Sequence, residues 1–312
     1  MNRPVAALVT AALTATLGAC SASSAPPASP APTALLPSRL PSSTPGLLPS
    51  STPGPVTGTA PGRDFQVGTT KLKFSNGADR PLPTTVWYPT DGDGPFPMIL
   101  FSHGLTSEPV AYKSLLEPWA EAGFVVAAPA YPYTSYGVAE TEPIDVINQP
   151  GDATEVITRM LALNDKPGGK LSGKIDPTRI AAAGHSAGGI TTVGMFSGNR
   201  DDRLTAGIVL SGRLGLPVPF TGKPAPILFV HGQLDKTVPY KDGMAAFNAV
   251  PWPKAMMNVT KGGHVAITKE FRPVITTTTD FLRYALYGDP DAKDRLKADA
   301  TNGNRAKLDD RL

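Results

Sequence analysis

The glycine-rich stretch Gly184–Gly189, with the sequence GHSAGG, is the feature that most constrains this chain. It follows the apolar run Arg179–Ala183 and precedes Ile190–Met195, so a short buried strand is predicted to run directly into a helix. The turn between them is so tight that the two flanking glycines are needed for room. The strained turn lifts the hydroxyl of Ser186 out of the sheet, and the helix N-terminus offers N–H groups to a negative charge. The pattern predicts a nucleophilic serine, unless Ser186 lies in an ordinary glycine-rich loop.

From Arg63 onward, short apolar runs alternate with segments of helical spacing, which indicates an α/β fold with a mainly parallel central sheet and helices on both faces. An antiparallel pair around the turn Asn76-Gly77 opens the pattern. The predicted strands are 69–74, 84–88, 98–102, 124–129, 179–183, 206–210, 226–230 and 255–260. The predicted helices are 110–121, 152–163 and 275–287, and 131–149 is predicted to be a loop.

Two further residues with catalytic chemistry follow later strands. Asp235 comes just after the strand predicted at 226–230, and His264 just after the strand at 255–260. Open α/β sheets collect their chemistry at the carboxyl ends of the strands. The chain order Ser186, Asp235, His264 is that of the α/β hydrolases. Order and position together are far more specific than the serine turn alone.

These segments resemble the α/β-hydrolase superfamily, in the neighbourhood of dienelactone hydrolases, platelet-activating-factor acetylhydrolases and cutinase-like polyester hydrolases. The resemblance covers about residues 65 to 287. It is carried by FSHGL at 101–105, GHSAGG at 184–189, HGQLDKTVP at 231–239 and GH at 263–264. It implies an α/β-hydrolase fold and serine esterase activity. Dienelactone hydrolases use a cysteine where this chain has Ser186, so carboxylic esters are the expected substrates.

The residue types predict an acyl-enzyme mechanism. Ser186 Oγ attacks the ester carbonyl, His264 takes its proton and returns it to the leaving alcohol, and Asp235 fixes the imidazole tautomer. The backbone N–H groups of Leu105 and Ala187 are expected to hold the oxyanion. No pair of histidines has metal-ligand spacing, and neither a dinucleotide fingerprint nor a P-loop is present, so no metal or cofactor is expected.

Other titratable residues compete for these roles. The remaining histidines, His103, His185 and His231, are predicted to be structural. Asp242 is predicted to be a helix cap or a surface charge. Asp152 and Asp176 fail the chain order, because they precede the serine.

Residues 1–19 are predicted to be a lipoprotein signal peptide. A basic start at Arg3 precedes the apolar run from Val5 to Leu17, which is too short to span a membrane. Leu17-Gly18-Ala19-Cys20 resembles a bacterial lipobox, and Cys20 is the only cysteine in the chain. We therefore expect acyl chains, palmitate among them, on Cys20, and a protein anchored to the extracytoplasmic face of the cell membrane. The alternative is an unlipidated signal peptide cleaved nearby.

The rest of the chain divides into three parts. Residues 20–62 are rich in Pro, Ser and Thr, with LPSSTPG at 40–46 repeated at 48–54, and are predicted to be a disordered linker whose glycosylation stays open. Residues 63–290 are the predicted catalytic domain, and 291–312 a charged tail. The net charge of +3 is small and not clustered, so no nucleic-acid partner is expected. We expect a monomer.

The substrate site is expected to be open. Only fourteen residues, 212 to 225, separate the strands at 206–210 and 226–230, which leaves no room for a large lid. This favours short-chain or polymeric esters, which the tyrosines at 131, 133 and 136 could contact. Two alternatives remain: a non-catalytic surface lipoprotein that uses the fold for binding, and an acyltransferase that passes the acyl group to an alcohol.

Overall fold

The computed structural model describes residues 60–264 and 272–312. The predicted signal peptide, the lipidation site at Cys20 and nearly all of the linker lie outside the described residues. Within the described ranges, no helix is both long enough and apolar enough to cross a membrane.

A single nine-stranded sheet organises the described residues, with the strand order β1-β2-β4-β3-β5-β6-β7-β8-β9. Strands β3 to β8 are mutually parallel, whereas β1, β2 and β9 pair antiparallel at the two edges. The strands are β1 Val67–Asn76, β2 Arg80–Pro89, β3 Phe96–Ser102, β4 Val125–Pro129, β5 Ile175–His185, β6 Leu204–Leu210, β7 Ile227–Gly232, β8 Lys254–Val259 and β9 Ala306–Arg311.

Helices cover both faces of the sheet because its central strands are apolar on both sides. Within β5, Ala181 and Ala183 face the core that contains Trp119, while Ile180 and Ala182 face the other core. The helices are α1 Lys113–Glu121, α2 Gln149–Asn164, α3 Ala187–Gly194, α4 Tyr240–Ala249, α5 Arg272–Leu282 and α6 Pro290–Thr301. A 3-10 turn at Pro109–Tyr112 precedes α1, another at Pro143–Ile147 precedes α2, and a π-helical turn at Arg283–Tyr287 follows α5. The fold class predicted from the sequence is confirmed.

The segment after residue 290 is expected from the sequence to be a charged, partly helical tail, and its first part is the helix α6. Its last part is instead a strand of the sheet, β9, which pairs along the whole of β8. Only Ala306 of β9 is fully buried, and the strand carries Lys307, Asp309 and Asp310. Charged side chains are typical of an edge strand, because they discourage pairing with other chains. Because of these charges, the sequence of β9 does not show the sustained alternation of apolar and polar residues that predicts a strand.

The parallel strands bring their carboxyl ends to one edge of the sheet, and the loops that leave this edge position the site. The loop after β3 contains Leu105, β5 leads into Ser186, and the loops after β7 and β8 contain Asp235 and His264. The connection between β6 and β7 runs only from residue 211 to 226. No large lid is therefore inserted there.

Candidate active site

Ser186 occupies a strained turn between β5 and α3. Its backbone has φ 57° and ψ −117°, a conformation that costs a non-glycine residue about 1–3 kcal/mol. The turn is closed by direct backbone contact. A Cβ atom on Gly184 would lie 2.1 Å from the carbonyl oxygen of Gly188, and one on Gly188 would lie 2.0 Å from that of Ser102. Both positions therefore require glycine.

Ser186, His264 and Asp235 form a continuous hydrogen-bonded relay. The Ser186 hydroxyl lies 2.8 Å from His264 Nε2, and His264 Nδ1 lies 2.7 Å from Asp235 Oδ2. The other carboxylate oxygen, Oδ1, accepts the backbone N–H groups of Thr237 and Val238, each at 2.9 Å. Burial alone would raise the pKa of Asp235, but the hydrogen bonds from His264 and the two amides lower that pKa below its usual value. Asp235 is thus held as a carboxylate facing the imidazole.

The loops that carry Asp235 and His264 are joined through their backbones. Leu234 N–H donates to the carbonyl of Gly262 at 2.9 Å, and a Cβ atom on Gly232 would lie 2.3 Å from that same oxygen. His231 stabilises the Asp235 loop itself, since its Nε2 donates to the carbonyl of Val238 at 2.9 Å. The close approach of Gly232 to Gly262 holds Asp235 and His264 near each other.

The loop after β3 passes beside Ser186. A Cβ atom on Gly104 would lie 3.4 Å from Ser186 Cβ. The Gly104 carbonyl accepts from His103 Nδ1 at 2.8 Å and from Ser107 N–H at 3.1 Å. Because C=O and N–H point in opposite directions across a trans peptide, the N–H of Leu105 is turned away from the His103 ring. None of the described residues accepts a hydrogen bond from Leu105 N–H or Ala187 N–H, so both remain available to an oxyanion.

A family model for chlorophyllase matches residues 58–214, just over half of the 312 residues. The chain belongs to the chlorophyllase family. This family is part of the α/β-hydrolase superfamily, so the superfamily predicted from the sequence is confirmed and the chain is a hydrolase of the ester-cleaving type. The narrower neighbourhood named from the sequence stays a prediction. No curated protein matches the chain.

The chlorophyllase match does not extend over the whole site. It includes Leu105, Ser186 and Ala187, but it ends before Asp235 and His264. The pairing of those two residues with Ser186 rests on the geometry alone.

The residues expected to be structural in this chlorophyllase-family chain lie in buried or paired positions. His103 is buried behind residues 104–107, which we call the oxyanion loop after the role expected of Leu105. Its Nε2 faces Tyr131 N–H at 3.1 Å, and burial lowers its pKa to about 4. Asp152 is buried in α2 and pairs with Arg80, and Asp176 pairs with Arg179. Asp242 lies half-buried in the first turn of α4, whose N-cap residue is Pro239 and not Asp242. Within the described ranges, no group of three or more His, Cys, Asp or Glu residues is placed to hold a metal ion.

The sequence does not point to Tyr112, and it predicts His185 to be structural, without any contact to the site. Tyr112 Oη lies 3.0 Å from His185 Nδ1, and His185 Nε2 lies 3.1 Å from the carbonyl oxygen of His264. His185 is therefore in direct contact with the candidate base. Tyr112 and His185 are 73 positions apart in the chain, and no spacing or motif in the sequence connects them.

Large apolar side chains are exposed on the connections that leave the parallel strands. We call those of the described residues the apolar collar, and their exposed fractions run from 38% for Leu105 to 73% for Tyr136. Leu105 follows Gly104, which lies beside Ser186, and Leu234 precedes Asp235, whereas Val110 lies with Leu72 on the β1–β2 side of the sheet. The members are Leu105, Val110, Tyr136, Ile144, Ile147, Leu216 and Leu234. Exposed apolar residues next to a site favour contact with an apolar ligand.

Proposed function

We propose that this chain is an extracytoplasmic serine esterase that cleaves carboxylic esters through an acyl-enzyme intermediate. One observation carries the proposal: Ser186 Oγ, His264 and Asp235 Oδ2 form an unbroken relay with contacts of 2.8 and 2.7 Å. A nucleophile within hydrogen-bond reach of a base, itself oriented by a third group, is the arrangement that activates a serine hydroxyl.

In the first half of the reaction, Ser186 Oγ attacks the ester carbonyl while its proton passes to His264 Nε2. Asp235 stabilises the resulting imidazolium, and the N–H groups of Leu105 and Ala187 hold the oxyanion. The tetrahedral intermediate then collapses, the bond to the alkoxy oxygen breaks, and His264 returns the proton to the leaving alcohol. In the second half, water attacks the carbonyl of the acyl-enzyme while its proton passes to His264. The bond to Ser186 Oγ then breaks, and His264 returns the proton to the serine as the acid leaves.

The surroundings of Ser186 support apolar esters as substrates, either short-chain or polymeric. The apolar collar would contact the hydrocarbon part of such an ester, and burial of apolar surface contributes about 25 cal/mol per Å². The connection between β6 and β7 is too short to form a large lid over Ser186, which is half-buried. A site without such a lid would admit a chain that extends past it in both directions, as a polymer requires.

The location follows from the N-terminal sequence. We infer that Cys20 carries acyl chains, which anchor the protein to the outer face of the cell membrane, and that residues 20–62 tether the catalytic part. A flexible linker of this length would span roughly 35 Å. No protein or nucleic-acid partner enters the proposal, and no cofactor does.

The test compares the wild-type protein with Ser186→Ala. A fluorophosphonate probe should label the wild type but not the variant, and turnover should be lost with it. The matched control is Ser197→Ala, because Ser197 lies in the turn after α3 and its hydroxyl bonds to the carbonyl of Val193 instead of to a histidine. A panel of p-nitrophenyl esters from C2 to C16, an aliphatic polyester and chlorophyll would define the substrate class.

The outcomes separate the alternatives. A folded wild type that neither labels nor turns over any ester would favour the non-catalytic binding protein. Labelling together with faster product formation when acceptor alcohols are added, and ester products instead of acids, would favour the acyltransferase.

A further inference from the structure

We propose that Tyr112 and His185 are positioning residues that join the oxyanion loop to the loop carrying His264. The inference rests on the proposed function, because it concerns the same serine reaction. It goes further in assigning a role to two residues that belong neither to the relay nor to the oxyanion donors.

Three hydrogen bonds connect the two loops without a break. Gly104 N–H donates to Tyr112 Oη at 2.9 Å, Tyr112 Oη contacts His185 Nδ1 at 3.0 Å, and His185 Nε2 contacts the carbonyl oxygen of His264 at 3.1 Å. We call Tyr112 and His185 the bridging pair. Both side chains are buried, so water does not compete with these bonds.

Only one proton arrangement satisfies all three bonds. The carbonyl of His264 can only accept, so His185 carries its proton on Nε2 and donates it there. A neutral imidazole then has a lone pair on Nδ1, so Tyr112 Oη donates to Nδ1 and accepts from Gly104 N–H. Burial raises the pKa of Tyr112 and lowers the pKa of His185 to about 4, so both groups stay neutral at pH 7 and the arrangement persists.

The bridging pair holds two peptide units whose separation sets the distance between the oxyanion donor and the base. Gly104 directly precedes Leu105, and with its N–H bonded to Tyr112 and its carbonyl bonded to His103, its backbone is fixed on both sides. At the other end, the bond from His185 holds the backbone of His264, and the two imidazole rings pack with centroids 4.8 Å apart. The position of the oxyanion donor relative to the base therefore depends on Tyr112 and His185.

The first variant is Tyr112→Phe, which removes one oxygen and leaves the aromatic packing against Phe101 in place. We expect kcat to fall about ten- to a hundredfold, because small misplacements of reacting groups cost factors of this size. KM should change less than about twofold. The matched control is Tyr287→Phe, since Tyr287 is also buried and donates to a backbone carbonyl, that of Gly123, away from the site. The control should lose similar thermal stability and keep its kcat.

The second variant, His185→Asn, keeps an acceptor near the position of Nδ1 but has no atom that reaches the carbonyl of His264. We expect a similar loss of kcat. If the two residues act as one connection, the double variant should lose no more than the more damaging single variant, because breaking a connected chain twice adds nothing. The proton NMR signal of His264 Nδ1–H, bonded to Asp235, should shift or broaden in both single variants and remain unchanged in Tyr287→Phe.

The results distinguish this inference from the proposed function. A wild type without fluorophosphonate labelling or turnover would overturn both. If the wild type is active, either of two results overturns the inference alone. The first is that Tyr112→Phe keeps kcat within twofold, and the second is that the losses of the two single variants multiply in the double variant. Should Tyr112→Phe not fold, the kcat and NMR signal of His185→Asn decide: unchanged values overturn the role of the bridging pair.

Discussion

Replacing Asp235 with Asn tests the relay with almost no change in shape. Asp235 Oδ1 accepts two backbone N–H groups, those of Thr237 and Val238, each at 2.9 Å. In the variant, only the amide oxygen can accept these bonds, because an NH₂ group has no lone pair to offer. The NH₂ group is thereby forced toward His264 Nδ1, where the carboxylate oxygen lies at 2.7 Å in the native protein.

The forced orientation of the amide reverses the tautomer of His264. An NH₂ donor facing Nδ1 requires a lone pair there, so the His264 proton moves to Nε2, which faces Ser186 at 2.8 Å. The serine then has no base. A wrong tautomer of this kind lowers kcat by about 10⁴-fold, which corresponds to about 5.5 kcal/mol of transition-state stabilisation. The midpoint of thermal unfolding should change little, because both backbone hydrogen bonds are kept.

The assay is steady-state hydrolysis of p-nitrophenyl acetate by the wild type, Asp235→Asn and Asp242→Asn. Asp242 lies in the first turn of α4, seven residues along the chain, and its variant controls for the loss of one negative charge. We expect the control to keep its activity. A value of kcat for Asp235→Asn above one tenth of the wild-type value would refute the argument from the two backbone amides.

Two further predictions concern stability. Gly188→Ala should unfold or fail to accumulate, because its Cβ would lie 2.0 Å from a backbone oxygen. Gly151→Ala, with open space around it, should fold normally. Circular dichroism and melting curves compare the two variants. His103 and His185 have pKa values lowered to about 4 by burial, so the unfolded chain binds more protons between pH 6.5 and 4 and stability falls as pH drops. Each contributes up to about 1.4 kcal/mol per pH unit. Burial also lowers the pKa of His231, which acts in the same direction, whereas the pKa of Asp299, raised to about 6 by burial and Asp280, and the pKa of Glu121, raised by burial, act in the opposite direction. Urea unfolding at pH 7, 6 and 5 checks this, and a free energy of unfolding that rises on acidification would contradict it.

The sequence predicts those features whose physical cause is local. The tight turn at Ser186 needs glycines two positions away on either side, and these are visible in the sequence. Asp235 and His264 come directly after apolar runs, so a parallel sheet brings them to the edge where Ser186 lies. The catalytic roles of the three residues stay predictions, although the structure brings them into contact.

The features missed depend on partners distant in the chain. Strand β9 has only Ala306 and Leu308 facing the core, too short an alternation to indicate a strand, and it pairs with the edge that β8 offers. The bond between Tyr112 and His185 arises only once the 3-10 turn before α1 is packed against the end of β5. Neither pairing leaves a periodic signal, so no pattern within a short window can predict it.

The glycine contacts around the site have a consequence for protein engineering. Backbone lies directly against backbone where Gly188 meets Ser102 and where Gly232 meets Gly262. These two contacts are made by main-chain atoms, so a side-chain substitution on the exposed loops does not remove them. Residues of the apolar collar, such as Tyr136, Ile144 and Leu216, can accordingly be randomised in a library to change substrate preference while the catalytic frame is kept.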